Sequence, residues 1–157
     1  MQKVRDNFEY QDGQLVRKKT SGGQRKGTVA GSKHHTGYWI VRVGGKMCQR
    51  SHVIWALHYG YFPDEIDHID QDKGNDKIEN LREATRQQNC CNRRKWRGES
   101  SQYKGVYLTR SGKFHAQIRC KGVLYCLGTF DTEEEAREAY DIKCVELFKE
   151  FSKPNGK

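Results

Sequence analysis

No run of apolar residues in this chain approaches the roughly 20 that a membrane-spanning helix needs, and the opening MQKVRDNFEYQDG has no apolar core of the kind a secretion signal carries. Both absences set one expectation, an intracellular protein with no membrane partner. Six cysteines are present (Cys48, Cys90, Cys91, Cys120, Cys126 and Cys144), yet no two are spaced Cys-x-x-Cys. A structural zinc is therefore not expected, and in a reducing compartment the thiols read as free. Negative charge is in short supply: 20 Asp and Glu face 29 Lys and Arg, for a formal net charge of +9. With a sequence pI of about 9.3 and a mean hydropathy of −1.00, the expected partner is a polyanion. Charge alone does not separate DNA from RNA or from an acidic membrane.

A length of 157 residues suits one compact domain or two small ones. Residues 1–50 read as a strand-rich N-terminal part punctuated by glycine, with strands at 8–10, 15–18 and 38–43 and a Gly44-Gly45 turn into 46–49. The intervening TSGGQRKG has no nucleotide-binding fingerprint. It reads equally as a phosphate-contacting arm through Arg25 and Lys26 or as a solvated loop. Ser51 is expected to cap a helix over HVIWALHYG, ended by Gly60. His52 and His58 do not share a face of that helix, so they make a poor metal pair and read as structural or surface histidines.

The stretch that organises the chain is 66–92, IDHIDQDKGNDKIENLREATRQQNCCN. Asp67 and His68 stand side by side, Asn80 follows twelve residues later and Asn89 nine after that. Alternation puts Ile66, His68 and Asp70 on one side of a short strand and Asp67 on the other, with a return through Lys73-Gly74-Asn75-Asp76. Asn80 is expected to start a helix, with Glu83 completing a capping box, and Asn89 then lies two and a half turns along it. A calcium loop fails here, because Gly74 takes the fifth position and Leu81 the twelfth. The acidic residues are read as turn residues instead.

DHIDQD, GNDKIENL and TRQQN together resemble an HNH endonuclease of the ββα-metal class, in the phage and mobile-intron homing subgroup whose last motif residue is Asn. Gln71 stands where that family often has Gly, a departure that touches the turn. The resemblance implies a ββα-metal core over 51–94, followed by a basic linker, 95–100, on a segment that suits a phosphate backbone.

From Ser101 the composition changes. Turns at Ser111-Gly112 and Lys121-Gly122 divide the text into strands at 104–109, 113–120 and 123–130, a three-stranded antiparallel meander. Phe114, Ala116, Ile118 and Cys120 alternate with Lys113, His115, Gln117 and Arg119. Thr132 and Glu135 form a capping box for a helix whose apolar stripe is Ala136, Ala139, Tyr140, Cys144, Leu147 and Phe148. That stripe is expected to cover the Phe114 face and leave the polar face for a ligand. YKGVY, GKFHAQIR, LGTFDTEEEAREAYD and Asn155 resemble the Apetala-two/ethylene-response-factor DNA-binding domain, over 101–157. That resemblance implies a sheet lying in the major groove, with Lys104, Tyr107, Thr109, Gln117 and Arg119 at contact positions; Arg110 and Lys113 join the DNA-binding set. Leu124 and Cys126 occupy positions where plant members tend to have Arg and Trp, which implies a different reading of bases.

The expected fold class is α+β: a strand-rich N-terminal part, the HNH core, then a three-stranded sheet packed on one helix. The expected function is metal-dependent, homing-type hydrolysis of phosphodiester bonds at a preferred site in double-stranded DNA, by a monomer in a bacterial or phage-infected cell. A histidine titrating near neutrality can take a proton from water, while a divalent cation supplies counter-charge. His68 is the expected general base. Asp67 and Asn89 are the expected oxygen ligands of one hard cation, Mg2+ or alternatively Mn2+. Asn80 is expected to hold the hairpin in place. The alternative is a non-catalytic DNA-binding protein that uses the C-terminal sheet and keeps the HNH fold as scaffold.

Overall fold

The computed structural model describes residues 1–92 and 100–155, with side chains through 89 and from 100. The basic linker expected at 95–100 lies outside the described residues except for Ser100. The chain divides into two compact units, Met1–Thr85 and Arg86–Lys157. Among the described residues no helix is long and apolar enough to cross a membrane.

The first unit opens with a short helix, α1 (Gln2–Asn7), which the glycine-punctuated reading of 1–50 did not anticipate. Its signal is the four-residue interval between Val4 and Phe8, both buried. Strands β1 (Phe8–Gln11) and β2 (Gln14–Arg17) pair as a hairpin. A second sheet orders β3 (Ser32–Lys33), β4 (Trp39–Val43) and β5 (Lys46–Gln49), the last two joined by the Gly44-Gly45 turn. Helix α2 (Arg50–Tyr59) follows and ends at Gly60, whose φ of 87° is the left-handed conformation glycine adopts without penalty. Its start differs from the expectation. Gln49 is the N-cap and Ser51 lies inside the first turn, buried, with no hydrogen-bond partner for its hydroxyl. The core joins Val4, Phe8, Leu15, Val41, Val53 and Ile54 to Ile66 and Leu81. Burying a side chain such as Leu15 or Ile54 contributes about 1.5–3 kcal/mol, enough to fix where α2 and the following hairpin lie.

That hairpin corrects the reading of 80–89. Strand β6 (Ile66–His68) pairs antiparallel with β7 (Leu81–Glu83), in register Ile66 to Glu83, Asp67 to Arg82 and His68 to Leu81. Asn80 does not cap a helix. It ends a 3-10 turn, Ile78–Asn80, immediately before β7. Glu83, assigned to a capping box, accepts a hydrogen bond from the Tyr61 hydroxyl at 2.6 Å. The segment IENLRE has good helix formers, but a strand places Leu81 in the core opposite His68, and tertiary burial overrides local propensity. The helix begins later, as α3 (Arg86–Asn92), and belongs to the second unit.

The second unit is a three-stranded antiparallel sheet in the order β10 (Val123–Phe130), β9 (Phe114–Cys120), β8 (Val106–Leu108). Helix α4 (Glu133–Phe148) packs across it, and both bonds of the Thr132/Glu135 capping box are made. Ala136, Tyr140, Cys144 and Phe148 are its buried positions, and Ala136 meets Val106 and Ala116. Gly105 is obligatory in this packing: its φ is +75°, and a Cβ there would clash with the Tyr140 ring and stand 2.7 Å from the Gln117 carbonyl oxygen. Asn155 closes the unit. Its side chain accepts from the Lys104 amide at 2.7 Å and donates to the Lys104 carbonyl at 3.2 Å. The expected fold class, α+β with a C-terminal helix on a three-stranded sheet, is the fold observed.

Candidate active site

The β6–β7 hairpin carries a twelve-residue connection, 69–80, that is tied together by its own short polar side chains. Asp70 is its hub: Oδ1 accepts from the Asp72 amide at 2.8 Å and from Asn80 Nδ2 at 2.9 Å, while Oδ2 accepts from Asn75 Nδ2 at 2.7 Å. Burial alone would raise the Asp70 pKa, but these bonds outweigh it and hold the carboxyl below its ordinary value. Asn80 works in both directions. It donates to the Asn75 carbonyl at 2.8 Å, and its Oδ1 accepts from the Asp70 amide at 3.0 Å. Gln71 takes a φ of +67°, a left-handed conformation that costs a non-glycine residue about 1–2 kcal/mol, which gives a physical reason for glycine at this position.

Asp67 and His68, adjacent on β6, are both buried. Arg82, across the hairpin, places Nε and Nη2 at 2.8 and 2.7 Å from the same Asp67 oxygen, Oδ2. His68 Nε2 lies 2.8 Å from Asp76 Oδ1, and the other Asp76 oxygen accepts from Arg50 Nε at 2.7 Å. Arg50, Asp76 and His68 thus form a connected chain at 4 %, 2 % and 5 % exposure. Arg50 is held further by the Gly74 carbonyl at 3.3 Å and by the Trp39 ring, 4.4 Å beneath the guanidinium. Tyr38 flanks His68 with ring centroids 6.0 Å apart.

Sequence reasoning missed three of these residues. The sequence reads Asp76 as a turn acid, gives Arg50 no role, and hides Arg82 in the helix expected at 80–89. Arg50 occupies the first turn of α2, where a cation opposes the helix dipole and Asp76 offsets that position; with Ser51 expected as the cap, the sequence puts Arg50 ahead of the helix and gives no such signal.

A carboxylate from Asp67 is the hard oxygen donor that Mg2+ or Mn2+ takes, and a ligating carboxylate is commonly held from outside by a hydrogen-bond donor, the place Arg82 fills. Asp67 therefore fits a cation ligand by its chemistry. Asn89 lies on α3 in the second unit. Among the described residues no group of three or more His, Cys, Asp and Glu side chains converges on a metal-sized site. Cys48, Cys120, Cys126 and Cys144 are free thiols.

In the second unit the sheet face away from α4 carries Tyr107, His115 and Thr129 in one cross-strand row, Gln117 beside Cys126, and Arg119 beside Leu124. Lys104, Tyr107, Gln117 and Arg119 also line a concavity of about 540 Å³ with Arg86 and Gln87. Thr109 is engaged in the Ser111-Gly112 turn: its hydroxyl donates to the Lys113 carbonyl at 2.8 Å and accepts from the Lys113 amide at 3.1 Å. Arg110 is exposed at that turn. Lys113 is not unpaired: its Nζ lies 2.8 Å from Asp131 Oδ1, and that bond raises its pKa.

Residues 48–90 match the family model described as HNH endonuclease. The chain is also 34% identical over 122 residues to an uncharacterized HNH endonuclease of Acanthamoeba polyphaga mimivirus, covering 76% of this chain and 63% of the relative. No solved structure matches the chain. The matched residues span α2, the β6–β7 hairpin and most of α3, so the chain carries, over 48–90, a domain of the HNH endonuclease family.

Proposed function

We propose that the protein is a metal-dependent DNA endonuclease that hydrolyses phosphodiester bonds, with its chemistry on the β6–β7 hairpin. The observation that carries this reading is the adjacency of Asp67 and His68 on β6 within the HNH-matched segment, each held by a dedicated partner. His68 is the general base that takes a proton from the attacking water. Asp67 is the oxygen ligand for a divalent cation, Mg2+ or Mn2+, and the family resemblance adds Asn89 as a second. When bound, such a cation supplies counter-charge to the phosphate in the transition state. Arg82 keeps the Asp67 carboxylate oriented, and Asn80 keeps the 69–80 connection closed so that Asp70 and Asp76 stay in place. Once Asp67 holds a cation and His68 serves as base, these two short side chains have little length left over to read bases.

Target preference falls to the C-terminal sheet, in the manner of the Apetala-two/ethylene-response-factor domain, with Gln117 and Arg119 as candidate base contacts on double-stranded DNA and Lys104, Tyr107, Thr109, Arg110 and Lys113 as backbone contacts. The formal charge of +9 supports a polyanionic substrate. Arg17, Lys19 and Arg42 add to this in the first unit, lining a groove of about 640 Å³ that has no acidic residue on its wall. A homing-type role acting at a preferred site is the reading we favour.

Incubating the protein with supercoiled plasmid and Mg2+ or Mn2+ tests the proposal. Nicked or linear product is expected from the native chain and none from His68→Ala, with both binding a DNA duplex alike. DNA binding without metal-dependent cleavage in either would establish the non-catalytic alternative.

A further inference from the structure

We propose that Asp76 is a positioning residue that sets the tautomer of His68, with Arg50 enforcing that choice; the proposal rests on His68 being the general base. An ionised carboxylate can only accept hydrogen bonds. His68 Nε2, 2.8 Å from Asp76 Oδ1, therefore carries the proton, and in a neutral imidazole the lone pair falls on Nδ1. That lone pair receives the proton of the attacking water.

Arg50 makes the arrangement one-way. Every guanidinium nitrogen is a donor, so the oxygen facing Arg50 Nε at 2.7 Å has to be an acceptor. Arg50 and Asp76 are 4 % and 2 % exposed, so on the Nε2 side of the ring water is not at hand to fill a missing partner. Asparagine at position 76 has the shape of aspartate but only one acceptor oxygen. Arg50 claims that oxygen, which turns the amide NH2 toward His68 Nε2. Nε2 then has to accept, the proton moves to Nδ1, and the imidazole presents an N–H where it needs a lone pair. A role for Asp76 confined to packing predicts the opposite, since asparagine fills the same volume.

Nitrogen-15 correlation spectra of the histidine rings in the full chain, recorded near neutral pH without metal or DNA, read the tautomer directly; His68→Gln identifies the signal. Wild type is expected to show the Nε2–H form and Asp76→Asn the Nδ1–H form. Cleavage by Asp76→Asn is expected to fall about 100- to 10,000-fold, with cooperative melting and DNA affinity within about threefold of wild type. Adding Arg50→Met to Asp76→Asn frees the amide to rotate, so the Nε2–H form should return. Retention of the Nε2–H form in Asp76→Asn, cleavage within about threefold of wild type, or persistence of the Nδ1–H form in the double variant overturns the proposal. Should Asp76→Asn fail to fold, the wild-type spectrum still decides, because an Nδ1–H form there is incompatible with it. A tautomer switch between wild type and Asp76→Asn, with no DNA cleavage by the wild-type protein, would instead overturn the nuclease reading.

Discussion

Arg82 stands directly opposite Asp67 in the β6–β7 hairpin and brings two of its nitrogens to a single Asp67 oxygen, at 2.8 and 2.7 Å. Removing the guanidinium leaves a buried carboxylate without that partner. Arg82→Ala should therefore lower stability by about 1–3 kcal/mol, read from the urea midpoint. Cleavage should also need more Mg2+, recovering to within about tenfold of wild type when the metal is saturating. An unchanged midpoint together with an unchanged Mg2+ requirement would show that the pair orients nothing.

Asp67→Ala should abolish cleavage while a DNA duplex still binds, because the lost oxygen serves the cation and not the DNA. Chelation should likewise stop cleavage without altering the circular dichroism spectrum or the melting temperature, since four described cysteines are free thiols and no structural metal is expected to hold the fold. Unfolding on addition of EDTA would assign the metal a structural place.

Asn80→Ala removes two donated bonds, to Asp70 and Asn75, and the acceptor for the Asp70 amide. A loss of about 1–3 kcal/mol is expected, concentrated in the connection. Hydrogen exchange at the Asp70 amide should accelerate far more than exchange in β4. Uniform acceleration would make Asn80 a global and not a local brace.

Burial depresses the His52 pKa below 6.5, against the opposing pull of the Asp64 backbone and Glu65. As pH falls through 6.5 the unfolded chain takes up this proton before the folded one does, so His52 lowers stability from about 6.5 downward until its folded pKa is reached. Unfolding by urea should show less stability at pH 5.5 than at pH 7, and His52→Gln should shrink that difference. An equal or larger difference in the variant would remove His52 as the cause.

On the C-terminal sheet, Arg119 is exposed beside Leu124, whereas Lys113 is already paired with Asp131. Arg119→Ala should cost about 1–3 kcal/mol of DNA binding and relax preference at one base if it contacts guanine. Lys113→Ala should lower affinity alike for all sequences, by less than Arg119→Ala does. Competition binding against a randomised duplex pool separates the two, and identical losses for both would contradict this division.

The sheet and helix of the second unit were legible because their signals are local. Two glycine turns, an alternating central strand and a capping box all fall within a few residues of what they specify. The hairpin was legible on one side only. Ile66 to His68 alternates as a strand, but its partner strand contains Asn80, Leu81 and Glu83, which mimic a helix start, and only the pairing of Leu81 with His68 settles the matter. Asp76 and Arg50 were illegible for a related reason. They are 26 residues apart, and nothing in the spacing of either announces a partner across α2 and the connection. Asp67 and His68 stood out because adjacency survives in one dimension, whereas the residues that hold them are adjacent only after folding.

The Asn155 clasp closes the span from Lys104 to Asn155 on itself: the backbone just ahead of β8 and the segment after α4 are joined by two hydrogen bonds. A unit whose entry and exit coincide behaves like a bead on a string. It can be hung on a host chain or spliced between two of its segments without prising the host apart, because both connections leave from one point. Any base preference of the kind proposed above for Gln117 and Arg119 would then travel with the bead, because the strands that present those side chains lie inside the closed span.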